Sequence, residues 1–132
     1  VGADAVNSSL GYFTFDDPAM NFTYADMNGE VSRAAKAASM AAQKGMIVVC
    51  SAGNEGDKTW KYISTPADAK KIVTVGGVTA DGTPSVFSSF GPSADGRVKP
   101  EICARGTQTS LVNSSGNIVV GNGTSYSSPL IC

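Results

Sequence analysis

Two short runs hold residue types suited to acyl-transfer chemistry. In Gly121-Asn122-Gly123-Thr124-Ser125-Tyr126-Ser127-Ser128-Pro129 a hydroxyl, Ser125, follows two glycines and stands where an apolar segment begins. Glycine reaches backbone angles closed to other residues, so the chain can turn sharply here and enter a helix. A helix start exposes unpaired N–H groups at the positive end of the helix dipole, which favours a nucleophilic hydroxyl or an oxyanion beside it. The same pattern equally suits Thr124 or Ser125 as a plain N-cap, and the run alone does not choose. The second run, Val48-Val49-Cys50-Ser51-Ala52-Gly53-Asn54-Glu55-Gly56, is an apolar stretch that breaks into a glycine-flanked loop carrying one amide, Asn54. It reads as a strand ending in a site loop, with an Asn kept for its turn geometry as the alternative.

The elements that must position these runs are legible around them. Apolar Ala5 and Val6, followed by polar Asn7 to Ser9, predict a buried strand running into a site at its carboxyl end. Val31, Ala34, Ala35, Ala38, Ala41 and Ala42 recur at three- and four-residue steps and predict a helix over 30–44, closed by Gly45 as C-cap. Met46 to Cys50 and Ile72 to Gly76 read as buried strands. Thr107 to Val112 and Ile118 to Val120 flank Asn113–Asn117 as a hairpin that delivers the chain to Gly121. Strand, helix, strand is the crossover of a parallel sheet, and in such sheets the site lies beyond the carboxyl ends of the strands.

With both runs in hand, the chain resembles the subtilisin-like serine peptidases. Ala52-Gly53-Asn54-Glu55-Gly56 is similar to the family's oxyanion-hole loop, and Gly123-Thr124-Ser125-Tyr126-Ser127-Ser128-Pro129 to its nucleophile motif, usually worded Gly-Thr-Ser-Met-Ala-x-Pro. Tyr126 and Ser127 depart from that wording. Asn7-Ser8-Ser9-Leu10-Gly11 resembles the strand end that lines the specificity pocket, and Phe87-Ser88-Ser89-Phe90-Gly91 and Thr65-Pro66-Ala67 resemble two further segments, the latter with its usual aromatic replaced. Arg97 to Gly106 matches a segment that usually ends Ala-Pro-Gly, with Arg105 in place of the proline.

The resemblance implies an α/β fold, a three-layer α/β/α arrangement on a mainly parallel sheet, of which residues 1–132 form the carboxyl-side portion. It implies a serine endopeptidase in which Ser125 is the nucleophile and Asn54 an oxyanion donor, while Ser9, Leu10, Gly11, Ala52 and Gly53 bind the polypeptide substrate. The chain contains no histidine, so it cannot by itself supply the imidazole of a Ser-His-Asp mechanism. The family carries its Asp and His on the amino side, so the expected partner is that missing part of the same domain, and the isolated chain is expected to be inactive. A catalytically dead, peptide-binding relative is the alternative; a Ser-Lys pair using Lys71 or another lysine has no spacing behind it. Removal of amino-side strands would leave a sheet edge uncovered, from which a homo-oligomer is expected.

Composition narrows the classes. A net charge of −1 with 42% hydrophobic and 16% charged residues offers no basic face for nucleic acid or anionic lipid, and no apolar run is long enough to cross a bilayer. No cofactor is expected. Asp16, Asp17 and Asp26 lie in an acidic, aromatic loop over 12–29 without a recognised calcium spacing, and read as solvated, although structural calcium in a longer parent is compatible with the family. Cys50 and Cys103 are expected to be buried free thiols and Cys132 an exposed one. The resemblance further implies a secreted or extracytoplasmic parent.

Overall fold

Ser32 opens the longest helix of the computed structural model, which describes residues 2–132. Its Oγ accepts hydrogen bonds from Ala34 N (3.1 Å) and Ala35 N (3.4 Å), satisfying two of the donors that a helix start leaves over. Helix α1 (Arg33–Gln43) therefore begins later than the alanine spacing suggests, and Val31 stays outside it, 43% exposed. At the other end Gly45 takes φ 94° as expected. Its N–H donates to Ala42 O (3.1 Å) and that of Met46 to Ala41 O (3.2 Å), a glycine-closed C-cap.

Four parallel strands form the sheet in the order β1 (Ala5–Ser8), β2 (Ile47–Ser51), β3 (Val73–Val78), β4 (Ile102–Arg105). Ser8 lies beside Cys50, Ser51 beside Val75, and Val75 beside Ile102. Strand alternation then sorts the core into two faces. Val48 and Cys50 pack with Ala35, Ala52, Ile63 and Ile72 under α1, while Val49 and Val75 point the other way. A short second helix, α2 (Thr124–Ser127), packs against β3 and β4, and the 3-10 turn Ser128–Leu130 continues it. The α/β fold with its mainly parallel sheet is the one the motifs imply.

Two expectations are overturned at the sheet edges. β1 is not buried: Val6 is 39% exposed and Ala5 is exposed, because β2 is the sole strand beside it among the described residues. Cys103 is exposed rather than buried, since β4 is the opposite edge strand. An apolar sequence run marks a buried strand only when both flanks are covered.

The expected hairpin forms from β5 (Thr109–Val112) and β6 (Ile118–Gly121), paired antiparallel with Val112 opposite Ile118 and Thr109 opposite Gly121. Asn113 Oδ1 shapes its turn by accepting from Ser115 N and Asn117 N, both at 3.0 Å. Between β1 and α1 the loop holds two 3-10 turns, Pro18–Met20 and Tyr24–Asp26. Their acids are spent on backbone: Asp17 Oδ1 accepts from Ala19 N (2.9 Å) and Asp26 Oδ2 from Thr23 N (2.7 Å). Among the described residues no three acidic, Cys or His side chains gather into a metal-holding group.

Candidate active site

The run from Gly121 leaves the hairpin and turns at Gly123, whose φ of 155° with ψ of 149° is a conformation essentially restricted to glycine. The turn is tied down by Gly123 N–H donating to Gly106 O at 2.8 Å. Gly106 itself leaves no room for a side chain: a Cβ there would lie 2.5 Å from Ser127 Oγ and 3.1 Å from Gly123 O. Close backbone approach is thus what fixes the entry to α2 against the end of β4. Although the chain ends two turns after Ser125, the segment is well seated, with Thr124, Ser127 and Ser128 fully buried.

Neither serine nor threonine acts as an N-cap here; the cap position is Gly123 and no side chain bonds to it. Thr124 instead faces the loop after β2. Asn54 Oδ1 accepts from Thr124 N (2.8 Å) and from Thr124 Oγ1 (3.0 Å), and Thr124 Oγ1 in turn accepts from Gly53 N (3.2 Å). With its oxygen so engaged, the Asn54 amide must present Nδ2 on its other side. That nitrogen has no acceptor among the described residues, and it stands 3.8 Å from the place a Cβ on Gly123 would occupy. Ser125 N–H likewise has no acceptor among the described residues.

Ser125 is half-buried and reaches back to the end of β1. Its Oγ donates to Ser9 O (3.4 Å), while Ser9 Oγ donates to Ser125 O (3.1 Å). Asn7 steadies the pair, giving its Nδ2 to Ser9 Oγ (2.9 Å) and accepting from Ser128 Oγ with Oδ1. The structure therefore brings Ser125, Asn54 and Ser9 to one place beyond the carboxyl ends of β1 and β2. Leu10 and Gly11 continue from it with backbone groups that pair with nothing among the described residues, and both are exposed. Ala52 and Gly53 differ: Ala52 N bonds Val75 O (2.9 Å), and Gly53 bonds Thr124 through N and Ser89 through O, so their backbones are occupied.

Lysine offers Ser125 no base. Lys71 is an exposed residue at the amino-terminal end of β3, the far side of the sheet. The buried amine, Lys99, is at that same end, where Nζ meets Glu101 Oε1 (2.6 Å) and Thr74 Oγ1 (2.9 Å). Burial holds its pKa below the ordinary lysine value, against the pull of Glu101. No titratable side chain among the described residues hydrogen-bonds Ser125. What the site can do unaided is offer the Ser125 hydroxyl and two N–H donors, Asn54 Nδ2 and Ser125 N, that are unpaired among the described residues, groups of the kind that stabilise an oxyanion.

Thr124 and Asn7 are the residues that the motifs alone did not single out. Thr124 had a signal, a hydroxyl directly before Ser125. Asn7 had its place in the first motif, but its reach across 121 residues to Ser128 has no trace in local sequence.

The sequence model of the subtilase family matches residues 1–132. Subtilisin-like protease 1 of Arthroderma gypseum is 33% identical over 101 residues, covering 76% of this chain, and serine protease AprX of Bacillus subtilis is 32% identical over 82 residues, covering 57%. The chain spans 19% and 18% of the lengths of those two proteins. In structure it is similar to the self-cleaved protease domain of PatA, with a TM-score of 0.74 at 25% identity over 98% of this chain and 43% of that one.

Proposed function

This chain belongs to the subtilase family, and on that footing we propose that it carries the nucleophile and oxyanion half of a serine endopeptidase site. Ser125 Oγ attacks the scissile carbonyl carbon, its proton passing to an imidazole supplied by polypeptide outside these 132 residues, which contain no histidine. The carbonyl oxygen becomes an oxyanion, met by Asn54 Nδ2 and Ser125 N–H; collapse of the tetrahedral species expels the amine, which takes the proton back, and water then releases the acyl group. Ser9, Leu10 and Gly11 form the edge on which the substrate backbone lies as an added strand. The observation that carries this reading is that Asn54 is hydrogen-bonded to Thr124, directly before the half-buried Ser125, with the Asn54 Nδ2 and Ser125 N–H donors unpaired among the described residues.

The same absence of histidine favours a second reading, a peptide-binding relative without turnover. Peptidase assays separate them. The first reading expects no cleavage by this chain alone, and cleavage by an assembly containing the amino-side segment that is lost on Ser125→Ala. Turnover by the isolated chain that Ser125→Ala abolishes sinks the assignment of the base to an outside segment, whereas an assembly that binds peptide without cleaving it supports the second. The exposed edge of β1 is the surface on which that amino-side segment, or a second copy of the chain, adds.

A further inference from the structure

The hairpin that leads to Ser125 is the least defended part of the surface. Residues 107–123 contain neither a charged side chain nor a proline, and Arg105 is the last charged side chain in the sequence. Sheet edges are normally blunted by charge or proline, because an open strand presents unpaired N–H and C=O groups to any other strand. Four strands have an open edge among the described residues: β1, β4, β5 and β6. β1 carries Asn7 and Ser8, β4 carries Arg105, and β5 carries Thr109 and Ser110; β6 alone, Ile118-Val119-Val120-Gly121, has no polar side chain. Its β-branched run also suits an extended strand best.

Register decides which groups β6 turns outward. The turn closes with Asn113 N–H donating to Asn117 O (2.9 Å), and antiparallel alternation then gives the ladder bonds to Leu111 with Val119 and to Thr109 with Gly121. Ile118 and Val120 therefore aim N–H and C=O away from β5, and these groups find no other backbone partner among the described residues. The side chains of Ile118, Val120 and Val112 share one face, 79%, 64% and 67% exposed, while Val119 lies on the opposite, half-buried face.

We propose that β6 pairs antiparallel with β6 of a second copy of this chain, about a two-fold axis at Val119. In that register Ile118 of each copy lies opposite Val120 of the other, so every outward N–H faces an outward C=O. The exposed aliphatic rows join across the axis into one strip. Like charge would hold identical strands apart, and β6 has none, in a chain whose net charge is −1. The hairpin is formed before the copies meet, so pairing orders little. One short strand and a narrow apolar strip make a weak dimer, assembling between micromolar and millimolar concentration.

Amide hydrogen exchange of the unaltered chain reads this pairing directly. The Ile118 and Val120 amides are expected to exchange freely in dilute solution and to slow by about tenfold as concentration rises, while Val119, already bonded within the hairpin, changes little. Sedimentation velocity over the same range is expected to show monomer giving way to dimer. The double variant Ile118→Lys, Val120→Lys, checked for native circular dichroism, sets like charges opposite each other and is expected to weaken the dimer by about tenfold. Ile118→Glu, Val120→Glu weakens it likewise, and an equal mixture of the two double variants recovers association. A chain that stays monomeric, amides of Ile118 and Val120 that ignore concentration, or a dimer indifferent to both double variants overturns the β6 pair. So do a dimer lost on Val6→Lys instead, which moves the contact to β1, and an open-ended series of oligomers, which replaces the closed pair.

Discussion

Asn54 and Thr124, 70 residues apart in sequence, are joined by two hydrogen bonds to one oxygen: the backbone N–H and the hydroxyl of Thr124 both donate to Asn54 Oδ1, at 2.8 and 3.0 Å. An amide whose oxygen is occupied twice cannot flip, so its NH₂ is aimed by Thr124 rather than by its own loop. In an assembly that cleaves peptide, Asn54→Ala is expected to lower kcat by about 10²- to 10³-fold. Thr124→Val, which keeps the N–H and loses the hydroxyl, should cost less, and Thr124→Ser should restore activity. A Thr124→Val enzyme indistinguishable from the parent refutes the orienting role.

Ser127 occupies the place where the family motif usually has alanine, and its hydroxyl is buried without a partner among the described residues. A buried hydroxyl left unsatisfied costs about 1–3 kcal/mol. Ser127→Ala is therefore expected to stabilise the chain by about 1–2 kcal/mol, seen as a Tm higher by a few degrees. A lower Tm in the variant shows that the hydroxyl has a partner such as an internal water.

Asp68 is fully buried, and desolvation raises its pKa above the ordinary 3.8 despite the Gly29 N–H that bonds its Oδ2 at 2.8 Å. A carboxyl that holds its proton more tightly when folded makes stability fall as pH rises from 3.8 through the folded value, with the full penalty present above it. Asp68→Asn keeps an acceptor for Gly29 and carries no charge. Its stability relative to the parent should grow with pH across that window and then level; denaturant midpoints measured from pH 4 to 8 decide, and a flat difference refutes the assignment.

The three thiols should separate cleanly. Cys103 and Cys132 are exposed, whereas Cys50 is fully buried and its pKa is pushed up to about 11 by desolvation. A disulfide-exchange reagent under native conditions is expected to titrate two thiols at neutral pH and the third on unfolding. Fast reaction of all three reveals an opening of the sheet beside α1.

The sequence displayed those parts whose cause is local. Alanine spacing marked α1, Gly45 its end, and Asn113 the hairpin turn. The first turn of α1 is not set by the alanine spacing, because Ser32 captures two N–H groups and leaves Val31 outside the helix. Edge exposure of Val6 and Cys103 was hidden, since it depends on which strands lie alongside. At the site, Ser125 and Asn54 stood out by type and setting, but the Thr124 contacts and the Asn7–Ser128 bond depend on segments that meet only in the folded chain.

The reciprocal bonds of Ser9 and Ser125 span 116 residues, so they close a loop made of nearly the entire chain. Contacts of such sequence separation carry the greatest loop-closure entropy and weigh most heavily in slowing a fold. The sheet between them must be paired before they can meet. The Ser125 hydroxyl is for that reason also a clock: its neighbourhood matures only once the intervening strands are in register.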